Sequence, residues 1–459
     1  MMPALLRRYP KAEKLARQLM ALYPLSARLG PLFWQWYAFL QESETWPEER
    51  LREFQLGQLR ILLKRLADKS PFYHQRLSDV RIETITNLAA FQYAVPTLSR
   101  LEFASQFQQI LCRDFARRSV RPSCTSGTTG NALQFFHSQE NSQREWASIC
   151  HQWRRVNFDP VRSRRAEFRG LTRHGALFQE YPEQNMVRFS ILHLQAESLP
   201  AMAEVINGQR LRYFHGYPSA FYLLSQEILR CGLLFPQPEA ILLASEMVYD
   251  FQLEQIQKAF PGARIFAHYG CAEGTVLAGW CEHRRAYHVL PQYSLVEVDP
   301  ATGEIIGTNL YNDVNGFVRY RMTDAASGVE SSPCPDCRRA YTPVITGLDG
   351  RSEDFLFSRE RGWIAPPIVT YPLKNLLHIQ ELQFHQDDPD SIIINYVTRP
   401  DVAAEQIASE MENIETGMRE LVGNFTRIKL RQVADIPRGP TGKYKWITSK
   451  LDPRNGPPR

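Results

Sequence analysis

Length, composition and charge limit the class of protein before any motif is considered. The chain has 459 residues, more than a single hydrophobic core usually serves, so we expect two domains or one large layered domain. Hydrophobic residues make up 44% and charged residues 22%, as in ordinary globular proteins. The 54 Lys and Arg against 49 Asp and Glu give a formal charge of +5, too small over this length to indicate a nucleic-acid-binding protein.

The first residues do not resemble a secretory signal or a membrane span. Arg7, Arg8, Lys11 and Lys14 interrupt the apolar residues there, and no stretch of the chain reaches about eighteen uncharged apolar residues. These features predict a cytoplasmic protein. The eight cysteines are too sparse for a disulfide framework, so a cysteine cluster would indicate a metal site or catalysis.

Residues 1–100 predict a helical segment. Upstream of its clearest helix, residues 32–40 form a dense patch of aromatic and aliphatic side chains. Such a patch could rest on a membrane surface, but its short length favours packing against the main domain. The helix itself is indicated by five apolar residues at helical spacing, namely Leu51, Phe54, Leu59, Leu62 and Leu66.

From about residue 120, short apolar runs alternate with helical stretches, a pattern typical of an α/β domain on a largely parallel sheet. Residues 241–244 and 264–267 are predicted strands that flank a helix near 250–260. From 293 to 346, β-rich runs separated by Pro, Gly, Asn and Asp predict a more antiparallel, barrel-like portion.

The last hundred residues predict a smaller unit. Two strand-like runs bracket a predicted helix at about 402–422, which is typical of a small α+β domain. A break at 347–350 precedes this unit. We therefore predict a large multi-layered N-terminal domain over residues 1–350 and a C-terminal domain over residues 351–459.

The strongest chemical signal is the run Thr-Ser-Gly-Thr-Thr-Gly at 125–130. Its glycines let the backbone approach a ligand closely and its four hydroxyls offer donors to phosphate oxygens, so the run is suited to a polyphosphate. It is not the P-loop of the common NTPases, because no Gly-Lys-Ser/Thr follows. A hydroxyl-rich surface turn is the alternative. The candidate nucleotide-binding residues are Ser126, Gly127, Thr128, Thr129 and Gly130.

Loops of this kind are the signature of the acyl-adenylate-forming superfamily, and six further segments resemble that superfamily in the same order. The sequence looks closest to the phenylacetate-CoA ligase and capsule-biosynthesis, CapK-like branch. The segments are Gly-Tyr-Pro-Ser at 216–219, Ser-Glu at 245–246, Tyr-Gly-Cys-Ala-Glu at 269–273, Arg-Tyr-Arg-Met-Thr-Asp at 319–324, Gly-Arg-Ser-Glu-Asp at 350–354 and Pro-Arg-Gly-Pro-Thr-Gly-Lys at 437–443.

The resemblance implies an α/β enzyme with a small mobile C-terminal domain, which uses ATP and Mg²⁺ to activate a small carboxylic acid as its acyl-AMP. Glu273 would hold Mg²⁺ against the ATP phosphates, as a hard oxygen ligand for a hard cation. Tyr269, followed by Gly270, would offer its ring to adenine. Asp324 and Arg351 would grip the ribose hydroxyls.

The catalytic lysine implied by the resemblance is Lys443. It would arrive from the C-terminal domain and neutralise charge as the carboxylate displaces pyrophosphate. Thr128 of the phosphate loop and the magnesium-binding Glu273 are the other predicted catalytic residues. The acid would lie near Tyr217, Ser245 and His268.

The resemblance also implies a second step, transfer of the acyl group to a thiol such as that of coenzyme A or a carrier protein. Glu353 at the hinge, Ala272 in the adenylate segment and a long hairpin at 355–366 depart from the family pattern and leave the acceptor open. AMP transfer to a hydroxyl acceptor, as in the deazaflavin-coenzyme adenylyltransferases of this branch, and a silent nucleotide-binding scaffold are the alternatives. The expected assembly is a monomer or homodimer.

A second candidate site is a zinc site. Cys334 and Cys337 form a Cys-x-x-Cys pair, and Cys281 and His288 precede it, so four ligands of the type that zinc prefers are available. The resemblance implies structural zinc at similar places. His283 is a rival ligand, and four unlinked surface residues are the alternative. A zinc-ribbon nucleic-acid module is disfavoured, because basic and aromatic residues do not interleave around the pair.

Two further features have simpler explanations. A run of arginines between residues 154 and 173 could attract coenzyme A phosphates or an anionic polymer, and a solvated face is the alternative. Cys124 and Cys271 flank the predicted active site. Neither has a predicted general base beside it, so neither is expected to be a nucleophile.

Overall fold

The computed structural model of the protein combines helices with a large mixed sheet and a smaller C-terminal sheet. The α/β class predicted from the sequence is therefore confirmed. The structure describes residues 10–114, 120–124, 133–169, 176–194, 196–246, 248, 250–349, 356–364, 369, 378–398, 402–436 and 447–451.

Residues 10–110 are mainly helical, as their periodicity predicts. The longest helix begins with two glutamates and ends with a lysine, charges that favour the helix dipole, and it buries one stripe of leucines. The helices are α1 (Pro10–Leu22), α2 (Leu25–Leu29), α3 (Pro31–Ser43), α4 (Glu48–Lys69), α5 (Pro71–Arg76), α6 (Leu88–Ala94) and α7 (Arg100–Ile110).

The aromatic patch of α3 packs inside the protein. Phe33 and Leu40 are fully buried, and the indole Nε1 of Trp36 donates a hydrogen bond of 2.9 Å to Oγ of Ser148. Tyr37 is buried on the same helix. These contacts favour packing against the main domain over rest on a membrane surface. Within the described ranges, no helix is long and apolar enough to cross a membrane.

A two-stranded hairpin and helix α8 follow. Strands β1 (Val120–Cys124) and β2 (Gln134–Ser138) pair antiparallel, with Cys124 opposite Gln134. The hydroxyl-rich run at 125–130 therefore connects these two strands. Helix α8 (Gln139–Trp153) begins after Ser138, whose Oγ accepts a hydrogen bond from the backbone N–H of Asn141.

Twelve strands of the described residues form one large sheet. It contains strands β3 (Arg165–Phe168), β4 (Phe178–Tyr181), β5 (Met186–Phe189), β6 (Tyr213–Gly216), β7 (Ala240–Leu243), β8 (Arg264–Gly270), β9 (Leu277–Trp280), β10 (Tyr287–Val289), β11 (Ser294–Val298), β12 (Glu304–Asn309), β13 (Tyr320–Glu330) and β14 (Val344–Asp349). Their order is β11, β12, β13, β14, β10, β9, β8, β7, β6, β3, β5 and β4.

The sheet has a parallel half and an antiparallel half, which meet at β8. Residues 264–267 of β8 pair parallel with β7, and residues 268–270 pair antiparallel with β9. Strands β3 and β5 to β7 extend the parallel half, while β9 to β14 are antiparallel. The predicted strands at 241–244 and 264–267 are present. The portion predicted as barrel-like is this antiparallel half.

Different helices cover the two halves. Helices α9 (Leu199–Gly208), α10 (Pro218–Cys231) and α11 (Asp250–Ala259) share a buried cluster with the parallel strands. The antiparallel half shares a second cluster with α4 to α7, in which the rings of Phe103 and Phe317 stack at 4.4 Å. Helices α4 to α7 therefore form the cover of the antiparallel half, whereas α3 packs in the first cluster.

The C-terminal part forms a hairpin and a four-stranded sheet with one helix. The two strand-like runs on either side of this helix form neighbouring parallel strands, which agrees with the predicted α+β unit. The elements are β15 (Leu356–Ser358), β16 (Gly362–Ile364), β17 (Ile379–Asp388), β18 (Ser391–Thr398), α12 (Ala404–Val422), β19 (Arg427–Gln432) and β20 (Ile447–Ser449), with sheet order β19, β18, β17, β20.

Candidate active site and metal centre

The parallel strands end at one edge of the sheet, where α/β proteins commonly bind ligands. Arg169 follows β3, Tyr217 follows β6, and Ser245 comes two residues after β7. His268 lies in β8 at the point where the pairing changes from parallel to antiparallel. The predicted acid-pocket residues Tyr217, Ser245 and His268 are thus all at this edge.

The backbone at these strand ends is closely packed and strained. A Cβ placed on Gly216 would lie 2.2 Å from the carbonyl oxygen of Phe168 on the neighbouring strand, so this position accepts only glycine. Ser245 has φ of +72°, in the left-handed region that non-glycine residues rarely occupy. Such backbone strain is concentrated at functional sites, which supports a role for the segment around Ser245.

His268 is a buried, neutral histidine. Burial, and next the charges of His215 and Arg169, lower the pKa of His268 to about 3. Its ring lies 6.0 Å from that of Trp153 on α8. Beside it, the Arg169 guanidinium lies 5.8 Å from the ring centre of Tyr217. The side of the pocket near His268 is therefore aromatic and carries the arginine cation at its edge.

The adenylate and ribose segments meet at the antiparallel end of β8. The hydroxyl of Tyr269 donates a hydrogen bond of 2.9 Å to Oδ2 of Asp324 on β13. The hydroxyl of Tyr320 donates one of 3.3 Å to Oε1 of Glu273, a carboxylate that is only 8% exposed. Gly270 ends β8 between these groups. Residues about fifty positions apart in the sequence therefore form one polar cleft wall.

Cys271 lies in this wall but is not suited to nucleophilic chemistry. Burial, and next the charge of Glu273, raise the pKa of the Cys271 thiol to about 12. Its Sγ lies 3.1 Å from Oγ1 of Thr275. The thiol therefore stays protonated, in agreement with the expectation that it is not a nucleophile.

Several predicted site residues lie outside the described part of the chain. They are Ser126, Gly127, Thr128, Thr129 and Gly130 of the hydroxyl-rich run, Arg351 and Lys443. Glu353 of the hinge segment also lies outside it.

The four predicted zinc ligands come together. One ligand atom from each of Cys281, His288, Cys334 and Cys337 lies within 4.8 Å of the others. Nε2 of His288 is 3.3 Å from Sγ of Cys337. His283, the rival ligand, is exposed and is not part of this group. The alternative of four unlinked surface residues is therefore wrong for this structure.

Ion pairs tie the loops of this cluster to the rest of the protein. Arg339 donates to Glu282 beside Cys281 at 2.6 and 2.7 Å, and to Glu44 at the end of α3 at 2.7 Å. Arg284 pairs with Glu330 at the end of β13 at 2.6 Å. The two loops that carry the cysteines are thus held in place by charges outside the ligand set.

The motifs in the sequence did not reveal three groups at the cleft. Tyr320 contacts Glu273 although no role was predicted for it. Arg169 belongs to the arginine run but lies at the strand ends beside Tyr217, while Arg155 of the same run donates to the backbone carbonyls of β9. Glu145 lies on the inward side of α8. Glu145 shares its helix face with the polar residues Asn141, Ser148 and Gln152, so no local pattern singled it out.

Comparison with known families and structures agrees with this architecture. Residues 356–450 match the CapK C-terminal domain family. No curated protein matches the sequence.

Among solved structures, 2-hydroxyisobutyryl-CoA ligase in complex with 2-HIB-AMP and CoA in the thioesterification state is similar, with a TM-score of 0.59 and 16% identity over 89% of this chain and 92% of that chain. The same ligase in the postadenylation state with 2-HIB-AMP gives a TM-score of 0.56 and 14% identity, again over 89% and 92% of the two chains. This chain therefore shares the fold of this ligase, and its residues 356–450 are similar to the CapK C-terminal domain family, which agrees with the CapK-like resemblance of its motifs.

Proposed function

We propose that the protein activates a small carboxylic acid with ATP and Mg²⁺ as an acyl-adenylate and then transfers the acyl group to a thiol such as that of coenzyme A. The observation that carries the proposal is the pair of hydrogen bonds that joins Tyr269 to Asp324 and Tyr320 to Glu273. These bonds unite two distant segments at the edge where the parallel strands end. The acyl-AMP and CoA bound by the structurally similar ligase support the same chemistry here.

Each side chain of the cleft wall has a definite task in this reaction. The Tyr269 hydroxyl is held by Asp324, which fixes the orientation of a ring that can stack on adenine. A carboxylate such as that of Asp324 is the type of acceptor that suits ribose hydroxyls, to which Arg351 would donate. Glu273 offers the oxygen that a magnesium ion needs, and the ion would neutralise the phosphates during the displacement of pyrophosphate.

The groups that complete the site come from segments known here only by their sequence. The hydroxyl-rich loop at 125–130, with Thr128, would hold the phosphates between β1 and β2. Lys443 would stabilise the charge that develops as the carboxylate attacks. In this scheme residues 1–350 form the adenylation domain and residues 351–459 the C-terminal domain, with ATP bound between them. The acid would occupy the space near Tyr217, Ser245 and His268.

The cysteine and histidine cluster is proposed to be a structural zinc site. Its donors are of the sulfur and nitrogen type that zinc prefers, and four of them leave no position open for water. Zinc would cross-link two loops of the antiparallel half. The cluster and the cleft are separate sites, so this ion takes no part in the adenylation chemistry.

Acid-dependent release of pyrophosphate from ATP and Mg²⁺ tests the proposal. A panel of aryl acids such as phenylacetate, short acyl acids, hydroxy acids and amino acids is compared for the wild-type protein and for Lys443→Ala. We expect release with at least one class of acid and a loss of about 10²–10³-fold in the variant. Addition of coenzyme A then gives the thioester. Silence of the whole panel, in a folded protein that still binds ATP, would overturn the proposal.

A further inference from the structure

Helix α8 carries polar side chains on the side that faces the sheet. Glu145 and Gln152 are seven residues apart, so they lie on the same helix face about two turns from each other. Gln152 is only 1% exposed, and a Cβ on Gly279 of β9 would lie 1.9 Å from its Oε1. Gly279 is the register partner of His268. The side chain of Gln152 therefore reaches the sheet beside the acid-pocket histidine.

The amide of Gln152 is buried without a partner. Within the described residues, neither Oε1 nor Nε2 makes a hydrogen bond. A buried amide that makes no hydrogen bond destabilises a protein. Such a group commonly has a functional reason, and here it is directed at the region beside His268.

Glu145 lies two turns nearer the helix start and is half-buried. Burial raises the pKa of Glu145 to about 7, and the charge of Arg169 opposes this effect. In the described part of the chain no hydrogen bond or ion pair engages its carboxylate, and the residue is half-buried on α8. Its environment is therefore that of a carboxylate in a recess, stabilised only by a more distant cation.

Two neighbours place Glu145 between the adenylate segment and the strand ends. Its charge acts on Tyr293, and a Cβ on Gly274 of the adenylate segment would lie 2.9 Å from the Tyr293 hydroxyl. On the other side, Arg169 stands beside Tyr217. A carboxylic acid in the proposed pocket would bring its chain near Glu145.

We propose that Glu145, with Gln152 behind it, recognises a hydrogen-bond-donating substituent, a hydroxyl or an ammonium group, on the acid that the enzyme activates. This inference rests on the proposed function and specifies its substrate class. A carboxylate only accepts hydrogen bonds. An acid with an apolar chain would displace water from Glu145 without donating a hydrogen bond to replace it. A donor on the acid compensates that cost, and sites built for such a donor reject analogues that lack it.

The test compares acids of equal chain length that carry a hydroxyl, an amino group or neither, by kcat/KM for pyrophosphate release. We expect the wild-type protein to prefer a substituted acid by at least about tenfold, since hydrogen bonds to charged groups contribute about 1.5–3 kcal/mol. Glu145→Leu should abolish this preference and leave the unsubstituted acid as good or better. Glu140→Gln, an exposed position on the same helix, is the matched control and should keep the preference.

Glu145→Gln distinguishes the two substituents. It keeps an acceptor oxygen, so a preference for a hydroxyl acid should survive in part, whereas a preference for an ammonium acid should fall to the level of Glu145→Leu. This near-isosteric variant also carries the test if the leucine variant does not fold. Turnover with equal selectivity in the wild-type protein and in both variants would overturn this inference and leave the proposed function standing. A folded protein that releases no pyrophosphate with any acid of the panel would overturn both the inference and the proposed function.

Discussion

Strand β9 joins two sites of different character. The adenylate segment that contains Glu273 comes just before β9, and Cys281 comes directly after it, so four residues of strand separate a polar cleft from a cysteine and histidine cluster. In the cluster, the ligand atoms approach one another and surrounding ion pairs hold the loops. In the cleft, the carboxylates of Asp324 and Glu273 accept hydrogen bonds from tyrosine hydroxyls.

The difference between the two ends of β9 separates stability from chemistry. Ligand groups that meet within 4.8 Å can be joined by one ion, which would fix the loops of the antiparallel half. A cleft wall made of carboxylates and tyrosines at strand ends presents the few polar groups that typically orient a bound ligand. We therefore expect substitutions at the cluster to act on stability, and substitutions in the cleft to act on catalysis.

The largest expected effect comes from the cluster. Cys334→Ser combined with Cys337→Ser should release one equivalent of zinc per chain and lower the free energy of unfolding by at least about 4 kcal/mol, because structural zinc sites contribute directly to folding. Metal analysis and denaturant unfolding measure the two quantities. Cys231→Ser, at a partly exposed cysteine outside the cluster, should change neither. If the wild-type protein kept its free energy of unfolding after removal of its metal, the result would contradict this expectation.

The next effect is on catalysis at the other end of β9. Glu273→Gln should lower acid-dependent pyrophosphate release about 10²–10³-fold, because the amide cannot replace a carboxylate as a magnesium ligand. The amide oxygen can still accept the hydrogen bond of Tyr320, so the melting temperature should change little. Glu254→Gln, an exposed residue of α11, is the control. Activity within about twofold of wild type would exclude Glu273 from the site.

Elements with strong local patterns could be predicted from the sequence. Residues 241–244 and 264–267 are short apolar runs, and β7 is buried over its whole length, as a central parallel strand should be. The four cluster residues could be predicted because a Cys-x-x-Cys pair restricts the chemistry to very few functions. The order of the superfamily motifs led to Tyr269, Glu273 and Asp324.

The remainder depends on tertiary contacts that no local pattern reveals. A single glutamate in a helix indicates a solvated face, and only the neighbourhood of Tyr293 and Arg169 identifies Glu145 as part of the cleft. Arg319 is a similar case within a recognised motif. Its guanidinium pairs with Glu297 at 2.8 Å and donates to the backbone of Val95, more than two hundred residues away, so it secures the helical cover rather than a ligand.

The third prediction concerns pH and His268. Because burial holds the pKa of His268 at about 3, the unfolded chain takes up a proton below pH 6.5 that the folded chain does not. Stability is therefore lost as the pH falls from 6.5, by about 3 kcal/mol at pH 4.5 for this residue. Denaturant unfolding should show that the free energy of unfolding falls less on acidification in His268→Gln than in the wild-type protein. His74→Gln, at an exposed histidine, should follow the wild-type curve.

The smallest effect is expected for a single hydroxyl of the cleft. Tyr269→Phe removes the donor to Asp324 and keeps the ring, so stacking on adenine should persist while the ring and the carboxylate lose their mutual orientation. A hydrogen bond to a charged acceptor contributes about 1.5–3 kcal/mol, which corresponds to a rise in the KM for ATP of about tenfold or more. Asp324→Asn in the same background measures the coupling of the pair. Because the bond is already absent in Tyr269→Phe, the two substitutions should be less than additive. Full additivity would mean that each side chain contacts the nucleotide independently, and the cleft wall would then be two adjacent surfaces instead of one unit.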